Sequence, residues 1–183
     1  MSTTAVAAAT TTWKIDPSHS HIGFSVRHLM ISTVKGRFAA VDGRVTVNET
    51  DLAASAVDVN IDASSIDTRD AQRDAHLRSA DFFDVERFPS LTFKSTRVTP
   101  KRGSAFAVTG DLTIHGVTRE VTLEVTEEGR GKDPWGGERF GFSAVTTIKR
   151  SDFGLTWNQA LEAGGVLVGD DVKVTLELEL LKG

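Results

Sequence analysis

The sequence predicts an all-β fold, an eight-stranded antiparallel barrel with one inserted α-helix at about residues 69–80. Most of the chain alternates apolar and polar residues at period two, the mark of strands with one buried face. About eight such runs are separated by turn residues, while RDAQRDAHLRSADFF, residues 69–83, drops the alternation in favour of helix formers. With 183 residues, 39% of them hydrophobic, the chain has room for one domain with a sizeable core.

In chain order, residues 1–12 (MSTTAVAAATTT) read as a disordered Thr/Ala-rich tail and residues 13–183 as a single barrel domain. The tail shows neither a basic n-region nor a long apolar h-region, so the expected location is cytoplasmic, and no window approaches a membrane span. The first strand, 21–28, places Ile22, Phe24, Val26 and His28 on one face and His21, Gly23, Ser25 and Arg27 on the other. In the second, 34–47, the apolar parity shifts between Phe38 and Val41, which implies a bulge that bends the strand. Strands at 56–62 and 90–98 flank the helix, whose Ala71, Ala75 and Phe82 are spaced for one face. A strand at 105–115 meets the next through His115 and Gly116, a link suited to a tight hairpin turn. The alternation Val117 to Val125, the run 138–149 and the C-terminal series Val172, Val174, Leu176, Leu178 and Leu180 complete the set. Strands longer than the ordinary half-dozen or so residues favour tilted barrel staves over a sandwich.

The deduced inner face carries Phe24, Val26, His28, Phe38, Phe93, Val108, Leu112, Phe142 and Ile148, with the small Ala40, Gly110 and Ala144 among them. Bulky walls alternating with gaps can line an elongated apolar cavity or interdigitate in a filled core, and spacing alone leaves both open.

Composition excludes several functions. A net charge of −4 without a Lys/Arg-rich run leaves no electrostatic footprint for nucleic acid or anionic lipid. The absence of cysteine removes disulfides, thiolate metal sites and a cysteine nucleophile. Three of the five histidines fall within HSHIGFSVRHL, residues 19–29, but the strand's pleat sends His19 and His21 outward and leaves His28 on the apolar face. No H-x-E or H-E-x-x-H partner follows, so neither a metal nor a cofactor is expected. His28 must instead find a hydrogen bond or meet a ligand's polar end. The tripeptide DFG at 152–154 lacks the accompanying kinase motifs and reads as a turn. His76, with Asp74, Asp81 and Asp84 nearby, lacks a serine elbow or paired carboxylates and reads as part of a solvated helix. No catalytic residue is expected.

A pattern of motifs adds to this. W-x-I-D-P-x-H-S-x-I-x-F-x-V-x-H from Trp13, VKGRF at 34–38, HLRSADFFDVERFPSLTF at 76–93, GDLTIHGVTREV at 110–121 and IKRSDFG at 148–154 together resemble the YceI-like family of bacterial lipocalin-fold, polyisoprenoid-binding proteins. The resemblance runs from Trp13 to about Leu181. It implies an extended lipocalin-like barrel with a helix at one end, holding a long apolar molecule such as an isoprenoid quinone, a polyprenyl lipid or a fatty amide. It also implies a homodimer and no common catalytic residue, and many relatives are periplasmic.

The expectation is therefore a non-enzymatic protein that binds, transports or sequesters an isoprenoid or other long-chain lipid-like ligand. Its wall would be Phe24, Val26, His28, Phe38, Phe93, Val108, Leu112, Phe142, Ala144 and Ile148, with Arg150 and Trp157 as mouth contacts. Two alternatives stand beside it: an enzyme acting on a lipid-like substrate with His28 as acid or base, and a filled barrel serving as a dimeric interaction module.

Overall fold

A computed structural model describes residues 9–183. Eight strands form a closed antiparallel ring: β1 (Thr10–Ile15), β4 (Val41–Asn48), β5 (Ala56–Asp62), β7 (Ser90–Pro100), β8 (Ala105–Ile114), β9 (Val117–Lys132), β10 (Glu138–Lys149) and β11 (Val168–Lys182). Closure comes from β1, which pairs with β4 along one edge and with the end of β11 along the other, Ile15 opposite Leu180. At that end such closure leaves no free sheet edge.

The N-terminal half of β11 has a different neighbour, β2 (His21–His28), which pairs with β3 (Ser32–Phe38), itself extended by the short β6 (Ile66–Asp67). The barrel is thus a full ring at one end and a ring with a branch at the other. There the gap is covered by the helix α1 (Ala71–Arg78) and the segment that follows it.

The parity shift expected between Phe38 and Val41 is a complete break separating β3 from β4. The freed amides of Ala39 and Ala40 donate to the carbonyl and hydroxyl oxygens of Ser65, so the kink leaves no orphan donor. Ala40 is exposed there and does not face the interior. His115 and Gly116 both adopt positive φ, 53° and 71°, as a two-residue hairpin between β8 and β9 requires.

Two expectations need correction. Thr10–Thr12, assigned to the tail, form the first half of β1, because their amides and carbonyls complete the pairing with Thr46–Asn48; residues 1–8 lie outside the described residues. The helix has the expected position, but its inward face is polar, since Ala71 and Ala75 are exposed while Asp74 is buried. The Asp70 side chain caps the helix by accepting from the Gln72 and Arg73 amides, which sets this register. Asp74 then accepts from the Thr68 amide and hydroxyl at 2.9 and 2.6 Å, and Arg78 donates to the Ser64 and Ile66 carbonyls. The helix is tied to the barrel by charge-assisted hydrogen bonds, with Leu77 and the later Phe82 and Phe83 supplying the apolar contact.

Candidate functional site

Alternate residues of the long staves face inward, and they do not fill the space. Two cavities remain, one of about 110 Å³ toward the fully ringed end and one of about 170 Å³ toward α1. Val57, Leu123, Leu176 and Leu178 line both, so the two compartments meet at an aliphatic waist. Each is many times the space one water needs, yet the walls are almost wholly aliphatic and aromatic, and water finds few partners there.

The residues expected to line one wall are divided among three places. Phe24, Phe38, Phe93, Leu112 and Ile148 line the larger cavity. Val108, Phe142 and Ala144 line the smaller one. Val26 and His28 do not reach the lumen: the register between β2 and β11 slips between Val168 and Val172, so the end of β2 runs past the barrel and lies under α1. Both residues line a separate groove of about 390 Å³, with Trp157 and with Phe24, which also faces the lumen.

Arg150 reaches the larger cavity but turns its charge away. Its Nε donates to the Gly169 carbonyl at 2.7 Å, Nη1 to Leu155 and Trp157 at 2.7 and 2.9 Å, and Nη2 to Val168 at 3.2 Å. Burial lowers its pKa from the usual guanidinium value, partly offset by Asp170. Its role is to hold the 155–169 loop against the start of β11, and Trp157 stands on that loop.

At the fully ringed end the cavity is strapped by ions. Arg130 forms a two-pronged pair with Glu49, 2.9 and 3.2 Å, and its guanidinium carbon lies 3.8 Å from the centre of the Phe140 ring. Arg130 holds the Glu49 carboxyl below its usual pKa, and Glu127 lies 4.0 Å from the same guanidinium. Beneath the strap, Trp13 packs edge-on against Phe140 at 5.3 Å.

Outside the barrel, Asp16, His19 and Glu179 converge within 4.8 Å of one another. A cationic group already lies there: Arg139 Nη1 donates to Asp16 at 2.8 Å and to Glu179 at 2.6 Å, while its Nε reaches Asp133 at 3.1 Å. The hydroxyl of Ser18, His19, the Ser18 amide and Arg139 together hold the Asp16 carboxyl far below the ordinary carboxylate range, against an opposing contribution from burial. The cluster ties the turn after β1 to β10 and β11.

The arrangement can enclose and desolvate an apolar chain. Among the described residues, no buried side-chain nitrogen or oxygen lacks a hydrogen-bond partner. Sequence reasoning missed the waist, although the alternation in β11 had marked Leu176 and Leu178 as inward. It also missed Glu49, Glu127 and Arg130, for which no local signal exists: Glu49 and Arg130 are 81 positions apart and meet only when the ring closes.

A closed eight-stranded antiparallel barrel with a hollow apolar interior and one helix at its end defines a lipocalin-like barrel. The chain belongs to the family of the YceI-like domain, whose model matches residues 13–180. A "Protein YceI" of Salmonella newport is 45% identical over 152 residues, covering 82% of this chain and 79% of that one. A UPF0312 protein of Vibrio cholerae is 44% identical over 138 residues, 75% of this chain and 73% of its own. Among solved structures, Burkholderia cenocepacia BcnA superposes with a TM-score of 0.79 at 26% identity, covering 90% of this chain and 98% of that one. A polyisoprenoid binding domain from Saccharophagus degradans shares the fold, with a TM-score of 0.66 at 16% identity over 97% of this chain and 100% of its own.

Proposed function

We propose that the protein is a non-enzymatic binder of a long apolar ligand of the isoprenoid or fatty-chain type, which it carries or sequesters in its lumen. The observation that carries this reading is the pair of apolar cavities joined at the waist of Val57, Leu123, Leu176 and Leu178. The shape is elongated, and so is the chain it would take. The shared fold of a domain described as polyisoprenoid-binding supports the same ligand class.

The energetics need little polar machinery. Each buried carbon contributes about 0.8 kcal/mol, so a five-carbon isoprene unit contributes about 4 kcal/mol before association and ordering costs. A few units give useful affinity without any hydrogen bond. The charged groups that line the lumen are few: Arg150 is engaged by four carbonyls, and Arg130 pairs with Glu49 and lies 4.0 Å from Glu127.

Native mass spectrometry of the purified protein, followed by organic extraction, should release a co-purifying lipid or show uptake of an added long-chain isoprenoid. A protein that neither carries nor takes up such a chain would overturn the reading.

A further inference from the structure

The turn between β2 and β3 is built from residues that neither its backbone nor the core favours. β2 ends at His28 and β3 begins at Ser32, so Leu29, Met30 and Ile31 form the turn. Leu29 and Met30 take left-handed backbone, φ 52° and 60°, where glycine or asparagine is the usual occupant. All three side chains are nevertheless exposed, Met30 at 62% and Ile31 at 77%. The turn thus combines backbone strain with unburied apolar surface, a pairing that points to a use outside the fold.

The loop beside it adds to the same surface. The Leu29 amide donates to the Leu167 carbonyl at 2.9 Å, and a Cβ at Gly165 would lie 2.9 Å from the Met30 sulfur. Val166, between these two contacts, is exposed as well. Among the described residues, four of the six large apolar side chains left exposed therefore stand together at this apex; Trp135, in the turn between β9 and β10, and Val145, midway along β10, stand apart from it. The apex lies at the rim of the groove beneath α1, which His28 and Leu167 line, and Phe24, further along β2, faces both groove and lumen.

Size and charge choose the partner. A stable protein interface takes roughly 20–30 residues a side, and a hairpin tip with one neighbouring loop falls far short of that. A bilayer needs no complementary shape and accepts protruding apolar side chains at the boundary between headgroups and acyl chains. The charges around the apex are mixed: Arg27 donates to the Met30 carbonyl at 3.0 Å and the Thr33 hydroxyl at 3.1 Å, Glu162 stands exposed on the adjoining loop, and Asp70 lines the groove. Such a surface suits a zwitterionic headgroup layer and needs no anionic lipid.

Resting on the lumenal reading above, we propose that this apex docks on a phospholipid bilayer, with Leu29, Met30, Ile31 and Val166 entering the headgroup boundary and the helix-covered end of the barrel facing the membrane. An apolar chain leaving the bilayer then meets the groove and Phe24 at the point of docking.

The test uses the full chain and phosphatidylcholine vesicles in a flotation assay. The wild type should float with the vesicles at low and high salt alike, because the attraction is apolar. Met30→Asn and Ile31→Ser together should weaken vesicle binding roughly tenfold or more, since two side chains lose the area they would bury. Both positions are exposed and asparagine suits left-handed backbone, so the fold should be kept, which circular dichroism checks. Trp135→Ser, at the ringed end, should leave vesicle binding unchanged. With geranylgeraniol supplied from cyclodextrin the double variant should bind it as the wild type does, whereas uptake of the alcohol from vesicles should slow by about the same factor as binding weakens. A wild type that does not float, floats only with anionic lipid at low salt, or floats as well after the double substitution overturns the docking surface. A dimer that the double substitution dissociates, with no vesicle binding, assigns the apex to a second copy and overturns it too. A wild type that docks through the apex yet takes up no geranylgeraniol from cyclodextrin overturns the lumenal reading and leaves the docking surface standing.

Discussion

The two ends of the barrel are closed by different means. At the β1 end the ring is continuous, and Trp13, Phe140 and Leu180 are sealed inside it at 1%, 2% and 0% exposure. At the α1 end the staves branch, and a helix with its trailing segment covers the gap. The heart of that cover is equally tight, for Ile66 and Phe153 are fully buried, but the seam is not. Phe24, Leu77 and Phe83 are only half-buried, and the large groove opens beside them. Strand closure pairs backbone with backbone across the junction, Trp13–Ile15 against Leu180–Lys182. A helix laid across an opening meets it through side chains alone, so a passage can persist. The difference lies in how each end is covered, by backbone pairing at one and by side-chain contact at the other.

The sharpest way to break this contrast is to remove a large side chain from each end. Trp13→Ala should cost about 3–5 kcal/mol, the usual toll for truncating a buried aromatic, read from chemical denaturation. Phe83→Ala, at the seam, should cost about 1–2 kcal/mol, because a half-buried ring has less to lose. Equal losses would show that the ends are equally well packed. Ala144→Phe asks next whether the ringed end holds ligand. Ala144 lines the smaller cavity, so the added ring should fill it, leave stability within about 1–2 kcal/mol of wild type and weaken binding of long chains more than of short ones. Equal affinity for long and short chains would confine the ligand to the α1 half.

Two smaller effects concern the ions at the ringed end. Asp16→Asn should cost about 1–3 kcal/mol at neutral pH by weakening the bonds to Ser18, His19 and Arg139. The Asp16 carboxyl titrates lower folded than unfolded, so its stabilisation is complete above about pH 4 and is lost as pH falls further. The variant's deficit should therefore shrink in acid, which denaturation at pH 7 and pH 3 would check. Glu49→Gln should cost at most about 1 kcal/mol, since the Arg130 pair is partly solvated. The folded-state pKa of Glu49 is likewise depressed, so this contribution too is present at neutral pH and lost on acidification.

Much of the barrel was legible because strand alternation is a local property. The runs 56–62 and 138–149 coincide with β5 and β10, and the break at Phe38 was visible as a change of parity. The first strand was not legible, for TTTWKI is short, and it is a strand only because β4 and β11 lie on either side of it. The helix was placed by its composition, yet its inward face was misread: capping by Asp70 and the partner Thr68 decided it, not the spacing of its alanines. Among the candidate site residues, parity separated His28 from His19 and His21, as the strand's pleat requires. Parity could not say where the barrel wall ends, so it left Val26 and His28 in a lumen that β2 has already passed.

The sequence by itself determined most of the strands, the position of the helix, the apolar faces of the staves and, through its motifs, membership of the YceI-like family. These depend on residues within a few positions of one another or on an inherited pattern. Only the tertiary structure decided that the interior is hollow, that two cavities meet at a waist, that Glu49 straps Arg130, and that Phe24 stands between lumen and groove. Those outcomes depend on how far apart opposing staves are held. That distance is set by strand tilt and closure, which no single stretch of chain contains.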